Sequence, residues 1–113
     1  MTYVAPGHHL LVDLWGCSNL QDLELIRTVL QDAATSCGAT VLDINLHGFG
    51  EGAGVTGVAI LAESHISIHT WPETGYAAID VFMCGSCDPS HSLPVFEAAF
   101  LPGRSHVTRC QRG

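Results

Sequence analysis

The sequence predicts an α+β fold in two layers, a mainly antiparallel sheet with helices on one face, built from two β-α-β-β-type halves. Segments rich in β-forming residues outnumber helical segments, and their order along the chain is β-α-β-β-β-β-α-β. Tight connections join the consecutive strands, which favours antiparallel pairing because a parallel crossover needs a longer segment. Neither a linker nor a low-complexity segment divides the 113 residues, so we expect one domain over 1–113.

The first two elements are a strand and an amphipathic helix. Residues 8–15 (HHLLVDLW) form an apolar run that is typical of a strand. Apolar residues then recur at helical spacing, which predicts a helix over about 20–37. We expect Ser18 or Asn19 to cap its N-terminus, and Gly38 stands where helices commonly end in the left-handed conformation.

The middle of the chain predicts four strands. Residues 39–47 are rich in β-formers, and a glycine-rich connection, 48–54, leads to the apolar strand 55–62. In 65–70, isoleucines alternate with polar side chains, which indicates a strand with two different faces. The fourth of these strands covers 76–83.

A short helix and a strand complete the predicted fold. The helix lies near 91–100, and Pro94 confines it to a late start because proline fits only the first turn of a helix. The strand covers 105–110.

The charge balance excludes two classes of function. The chain has four arginines, no lysine and a formal net charge of −7. A nucleic-acid-binding protein needs a basic patch, which four scattered arginines do not build. A pyridoxal phosphate enzyme holds its cofactor as a Schiff base on lysine. An acidic balance instead tolerates a small cationic or amine-bearing substrate.

The number of charged residues and the N-terminal sequence favour a second subunit and a cytoplasmic location. Charged residues make up 13%, about half the share in an ordinary protein, which favours a surface partly covered by another subunit. The N-terminus has no apolar signal region and no run reaches the length of a membrane span, so we expect a cytoplasmic protein. Its cysteines should then be reduced thiols, with Cys17, Cys37 and Cys110 as small core residues.

Polar and ionisable side chains are concentrated in residues 63–73 (ESHISIHTWPE). Two histidines, two serines, two glutamates and a threonine fall within this stretch. Ordinary buried strands do not carry so many polar groups, because each of them needs a partner. Cys84 follows Ser64 by twenty residues, at the end of a predicted strand.

These residues carry a resemblance to a known family. The stretch ESHISIHTWPE, followed by GYAAIDVFMCG, resembles the signature of the prokaryotic S-adenosylmethionine decarboxylase proenzymes, which are pyruvoyl-dependent. The segments HLLVDLWGC and GVTGVAILAES are similar to the same family, so the resemblance covers most of residues 7–87.

The resemblance implies that the chain cuts itself between Glu63 and Ser64, into a β chain of 1–63 and an α chain of 64–113. Ser64 would attack the carbonyl of Glu63, and elimination and hydrolysis would then leave a pyruvoyl group derived from Ser64. The ketone of that group would react with a substrate amine and act as an electron sink. It would supply the carbonyl that a chain without lysine cannot obtain from pyridoxal phosphate.

The resemblance also implies roles for other side chains. His69 would remove a proton during the elimination, which suits an imidazole with an ordinary pKa of about 6.5. Cys84 would donate a proton to the decarboxylated carbon, because a thiol with an ordinary pKa of about 8.5 is protonated at pH 7. Thr56 stands where the family has a serine that helps processing. Glu73 would bind ribose hydroxyls, and Phe49 would stack on adenine.

The implied reaction is the decarboxylation of S-adenosylmethionine to the aminopropyl donor of spermidine synthesis. The resemblance implies a homodimer of processed protomers with sites near the interface, and neither a nucleic acid nor a membrane is expected as a partner. Two alternatives stay open at this point. The same scaffold and chemistry would suit an arginine or ornithine decarboxylase, and an unprocessed homologue would be non-catalytic.

The spacing of Ser64 and His69 sets a geometric condition on this chemistry. On one straight strand, residues five apart face opposite sides and lie about 16 Å from each other. We therefore expect Ser64 at a turn between the two flanking strands. The other solution is a partner subunit that supplies one of the two groups.

No metal site is expected from the sequence. His65 and His69 would share a strand face, but at a separation of about 13 Å they would be too far apart to bind one ion. The Cys84-Gly-Ser-Cys87 motif has no second pair of ligands at a suitable spacing.

Overall fold

The structure, a computed structural model, describes residues 7–113. These residues form six β-strands and two α-helices in the predicted order. The elements are β1 (Gly7–Trp15), α1 (Leu23–Ser36), β2 (Val41–Gly48), β3 (Val55–Leu61), β4 (Ser64–Trp71), β5 (Tyr76–Cys84), α2 (Leu93–Phe100) and β6 (Arg104–Arg112). A short 3₁₀ turn, Pro89–Ser92, leads into α2.

The start of α1 differs from the prediction. The helix begins after Asp22, whose carboxylate accepts a hydrogen bond from the backbone N–H of Leu25 at 3.1 Å. The predicted caps, Ser18 and Asn19, are therefore wrong. Asn19 has a left-handed φ of 65°, whereas an N-cap residue is normally extended.

Other local predictions have mixed outcomes. Gly38 follows Cys37, the C-cap residue of α1, with a φ of 84°, as predicted for a helix terminus. Pro94 lies in the first turn of α2, also as predicted. Cys37 is buried, but Cys17 is only partly buried and Cys110 is exposed. Cys110 was wrongly predicted as a core residue because it lies on the edge strand β6, on the side of the sheet that faces away from the two helices.

All six strands of residues 7–113 belong to one sheet. Its strand order is β2-β3-β4-β5-β1-β6, and every neighbouring pair is antiparallel. This confirms the predicted fold class. The hairpin between β3 and β4 turns at Ala62 and Glu63, with Leu61 paired to Ser64. Ser64 is therefore the first residue of β4, directly after a turn in which Glu63 has a left-handed φ of 60°.

The two helices and the sheet enclose one hydrophobic core. Phe96 and Phe100 of α2 are fully buried there, and each contributes about 3 kcal/mol by leaving water. Ile66 and Ile68 of β4 point into the same core. The opposite side of the sheet carries the odd-numbered residues of β1 and β4 and the even-numbered residues of β3, β5 and β6. We call it the open face.

A buried threonine fixes the glycine-rich connection against the end of β4. The Thr70 hydroxyl donates to the carbonyl oxygen of Leu20 at 2.6 Å and accepts from the N–H of Val55 at 2.9 Å. A Cβ at Gly54 would collide with the carbonyl oxygen of Thr70, so this position needs glycine. The connection is thereby held beside His69, which precedes Thr70 on the strand.

No helix within residues 7–113 is both long enough and apolar enough to cross a membrane.

Candidate active site

Ser64, Glu63 and Cys84 meet where β4 begins and β5 ends. The backbone N–H of Cys84 donates to the Ser64 hydroxyl oxygen at 3.2 Å. The Cys84 thiol donates to the carbonyl oxygen of Glu63 at 3.0 Å. The carbonyl of the Glu63–Ser64 peptide bond is therefore in contact with the thiol, at an accessible turn. Residues that lie twenty positions apart in the chain form this end of the site, because β4 and β5 pair antiparallel.

A second group of predicted residues surrounds a groove at the opposite end of β4. Thr56 of β3 is paired with His69 of β4, and their side chains are hydrogen-bonded, with 3.1 Å between Oγ1 and Nδ1. Both line a groove of about 390 Å³, together with Phe49, Trp71 and Glu73. Phe49 is 63% exposed there. The structure thus brings four of the predicted residues, Phe49, Thr56, His69 and Glu73, into one groove.

Within one chain, the turn before Ser64 does not bring Ser64 and His69 together. Ser64 and His69 belong to one regular strand that pairs continuously with β3. Five residues of strand separate them by about 16 Å. Ser64 also shares the side of Ile66 and Ile68, whereas His69 lies on the open face. The expected turn at Ser64 is present, but it leaves the geometric condition unmet in a single chain.

A cluster that sequence reasoning missed lies on the open face. Asp80 accepts hydrogen bonds at Oδ2 from His9 Nε2 at 2.7 Å and His65 Nε2 at 2.9 Å, and at Oδ1 from the Ser67 hydroxyl. We call these four residues the Asp80 network. Burial raises the pKa of Asp80, but the hydrogen bonds outweigh it and hold the pKa below its ordinary value. The network was missed because its members come from β1, β4 and β5, and only the strand register brings them together.

Replacing Asp80 with asparagine should change how stability depends on pH. Because the folded pKa of Asp80 is lowered, its stabilising contribution is present above the ordinary value near pH 4 and is lost as the pH falls through the folded pKa. Asp80→Asn should therefore unfold more easily than the parent at pH 7, and the difference should shrink below about pH 4. The free energy of unfolding in urea, measured for both proteins, tests this. Both should also carry Ser64→Ala, so that neither is cleaved. A difference that is constant between pH 7 and pH 3 would contradict it.

A row of aromatic side chains was also not predicted as part of a site. Trp71 stacks on Tyr76 with 5.3 Å between ring centroids, and Tyr76 lies 5.8 Å from Trp15. A hydrogen bond from the Tyr76 hydroxyl to Asp13, with burial and the Asp13 charge, raises the pKa of Tyr76 to about 12. The row forms a rigid wall beside the groove of His69, since Trp71 belongs to both.

Comparison with known proteins adds an independent finding. Residues 8–113 match the model of the family described as S-adenosylmethionine decarboxylase. The match extends beyond residues 7–87, which carry the motifs. It therefore includes α2 and β6 as well as the strands of the candidate site.

Individual relatives cover nearly the whole chain. A protein of Thermomicrobium roseum called S-adenosylmethionine decarboxylase proenzyme is 44% identical over 108 residues, which are 95% of this chain and 93% of that protein. A protein of the same name from Methanococcus maripaludis is 47% identical over 110 residues, covering 95% and 89%. The crystal structure of the adenosylmethionine decarboxylase from Aquifex aeolicus superposes with a TM-score of 0.86 at 35% identity, covering 98% of this chain and 93% of that one.

Proposed function

The chain belongs to the S-adenosylmethionine decarboxylase family, and we propose that it cleaves itself before Ser64 and builds its active site from two protomers. As a member of this family it is a decarboxylase of S-adenosylmethionine that uses a serine-derived pyruvoyl group. The arginine and ornithine alternatives and the non-catalytic alternative have no such support.

The observation that carries the cleavage proposal is the contact between Cys84 and the Glu63–Ser64 peptide. The Ser64 hydroxyl attacks the Glu63 carbonyl carbon, the C–N bond breaks, and an ester replaces the amide. A base then removes the Cα proton of residue 64, and the Glu63 carboxylate leaves from Cβ. Water hydrolyses the resulting dehydroalanine to the ketone and ammonia. The chain thereby divides into residues 1–63 and 64–113.

The thiol and the turn favour the first of these steps. The Cys84 thiol donates to the oxygen on which negative charge develops during attack. Glu63 holds the turn with a left-handed φ that non-glycine residues seldom adopt, so relief of backbone strain accompanies cleavage. The finished pyruvoyl group offers a ketone that takes up the substrate's amine and withdraws electrons as carbon dioxide leaves.

The base for the elimination comes, in our proposal, from His69 of the partner subunit. His69 lies about 16 Å along β4 from Ser64 in the same chain. A twofold axis across the open face sets two copies of β4 antiparallel to each other, with the crossing near Ser67. The beginning of one β4 then lies over the end of the other. Thr56 supports His69 through the hydrogen bond to Nδ1, which orients the ring and leaves Nε2 for the proton.

The open face has the composition of a surface that a second protomer covers. Leu11, Ile60 and Trp71 on this face are each more than 40% exposed in the single chain. The opposite face is already covered by α1 and α2, so only the open face remains for a second sheet. The low content of charged residues agrees with this arrangement. We therefore propose a homodimer in which two open faces pack together.

The groove beside His69 is the proposed site for the nucleoside part of the substrate. The exposed ring of Phe49 offers a face on which adenine stacks. The Glu73 carboxylate accepts hydrogen bonds from ribose hydroxyls in the same groove. Arginine and ornithine have neither an aromatic base nor a ribose, so these two residues would select against them.

Cys84 is proposed to return the proton to the substrate carbon after carbon dioxide leaves. Cys84→Ala should still cleave completely, because cleavage happens once per chain and a thiol hydrogen bond contributes only about 1 kcal/mol. Turnover should fall by about 10²–10⁴, the usual contribution of a general acid. Intact-mass analysis measures cleavage, and release of labelled carbon dioxide measures turnover. Normal turnover by a fully cleaved Cys84→Ala protein would remove Cys84 from this role.

A further inference from the structure

His65 of the Asp80 network follows Ser64 directly and is oriented as a base. Its Nε2 donates to Asp80 Oδ2 at 2.9 Å. A carboxylate only accepts hydrogen bonds, and the lowered pKa of Asp80 keeps it ionised, so a neutral His65 carries its proton on Nε2. Its Nδ1, the ring nitrogen nearer the main chain, then has a lone pair and no hydrogen-bond partner within residues 7–113.

The other histidine of the network, His9, is not available as a base. Its Nε2 donates to Asp80 at 2.7 Å, and its Nδ1 accepts from Arg112 at 3.1 Å. The Ser67 hydroxyl donates to the second oxygen of the same carboxylate. The polar groups of the network thus pair with one another, so a partner subunit can cover them at little cost. Among the ring nitrogens of the network, only Nδ1 of His65 is left for a substrate.

Covalent geometry places His65 beside the reacting atoms. The ketone carbon would be the former Cα of residue 64, about 3.8 Å from the Cα of His65. Stacking on Phe82, with 5.8 Å between ring centroids, holds the imidazole on the open face. Cys84 lies on the same face, two residues beyond Phe82, so its Cα is about 7 Å from that of His65. The two side chains therefore flank the position of the ketone.

We propose that His65 is the base that removes a proton from the ammonium group of S-adenosylmethionine, and that Asp80 positions it. This inference rests on the proposed function, because it needs the ketone at residue 64. An ammonium group has no lone pair with which to attack a ketone, so one proton must leave first. His65 Nδ1 accepts that proton while Nε2 keeps its hydrogen bond to Asp80, whose negative charge stabilises the resulting cation.

The protons balance over this step. The substrate's nitrogen gives up two of its three protons as it bonds to the ketone carbon through its lone pair, and both leave on the ketone oxygen as water. His65 carries one of them from nitrogen to oxygen, and the other passes between these two atoms directly. His65 is thereby neutral again before carbon dioxide leaves, and Cys84 keeps its proton for the carbon. The step needs contact with the substrate and not with solvent, so it is compatible with a partner subunit that covers the open face.

Capture of two different amines tests the role of His65. Methoxyamine is already unprotonated at pH 7, so it reacts with a ketone without a base, whereas the substrate's ammonium group needs one. His65→Gln keeps a donor for Asp80 and removes the base. It should attach S-adenosylmethionine about 10²-fold more slowly than the parent and methoxyamine at the parent's rate. Borohydride fixes the attached substrate, and intact-mass analysis of the 64–113 fragment measures both rates per ketone.

Two further variants complete the comparison. Asp80→Asn should attach the substrate about tenfold more slowly, because a hydrogen bond to a charged group is lost, and should leave methoxyamine capture unchanged. It does not alter residues 63–65, so it keeps the test open if His65→Gln is not cleaved. His91 lies 3.6 Å from Asp88 in an exposed pair, so His91→Gln is the matched control and should attach both amines like the parent.

Nitrogen NMR of the histidines in Ser64→Ala gives a readout that needs no ketone. A neutral His65 should carry its proton on Nε2 rather than on Nδ1. Three results would overturn its role: attachment of the substrate by His65→Gln at the parent's rate, an equal loss for both amines, or a proton on Nδ1. A parent that captures no methoxyamine would instead contradict the ketone at residue 64, and this inference would fall with it.

Discussion

Ser64→Ala should remain a single chain of 113 residues and should have no decarboxylase activity. Alanine has no hydroxyl to attack the Glu63 carbonyl, so neither the ester nor the ketone can form. Without the ketone the protein has no electron sink, and the rate should fall at least about 10⁶-fold, towards the uncatalysed reaction. Intact-mass spectrometry should show one species for this variant. The parent should give two fragments, 1–63 and 64–113, the second with a blocked amino end.

A matched serine variant separates the loss of the Ser64 hydroxyl from a general effect of replacing a serine. Ser105 is exposed on the edge strand β6, so Ser105→Ala should cleave and turn over like the parent. Ser64→Ala should fold normally, because the hydroxyl accepts only the hydrogen bond from Cys84 among the contacts seen at this turn. If Ser64→Ala retains activity, or if the active parent persists uncleaved without a reactive carbonyl, the proposed chemistry is wrong.

Two inactive variants, Ser64→Ala and His69→Ala, should restore activity to each other when they are produced together. In a mixed dimer, one site combines an intact Ser64 with the intact His69 of the partner subunit. Random pairing makes about half of the dimers mixed, each with one of two sites intact, so activity should return to about a quarter of the parent's. About half of the His69→Ala chains should be cleaved, whereas none should be cleaved when that variant is produced alone.

The pair Ser64→Ala and Cys84→Ala is the control for this experiment. Ser64 and Cys84 meet within one chain, so every site in the mixed dimer lacks one of them. This pair should restore no activity. If Ser64→Ala and His69→Ala also fail to restore each other although mixed dimers form, His69 acts within its own chain or not at all. Sizing of differently tagged chains verifies that mixed dimers are present.

Local sequence patterns predicted most of the fold. The alternation of isoleucine with polar residues in 65–70 indicated a strand with two faces, and the structure confirms it in β4. The predicted start of α1 was wrong because Ser18, Asn19 and Asp22 are all residue types that can cap the N-terminus of a helix. The choice among them depends on how the chain leaves β1. Here Asn19 donates its side-chain amide to the carbonyl of Ala99, a contact from a distant element.

The motif 63–73 and Cys84 carry the family resemblance from which the chemistry of this protein was predicted. The absence of lysine excludes a pyridoxal phosphate Schiff base, and the resemblance carried by this motif implies a ketone derived from Ser64. Those features are a matter of residue type and local order, so they can be read along the chain.

Only the tertiary structure decided which of these groups meet. Antiparallel pairing of β4 and β5 brings Cys84 to the Glu63–Ser64 bond, and the same regular pairing holds His69 at the far end of β4, beside Thr56. It also gathers the Asp80 network from three strands. The physical reason is that the sequence of one strand fixes only which face of the sheet each of its own side chains lies on and how far apart they are. Strand register decides which residues become neighbours, and it depends on how the whole sheet packs against its core.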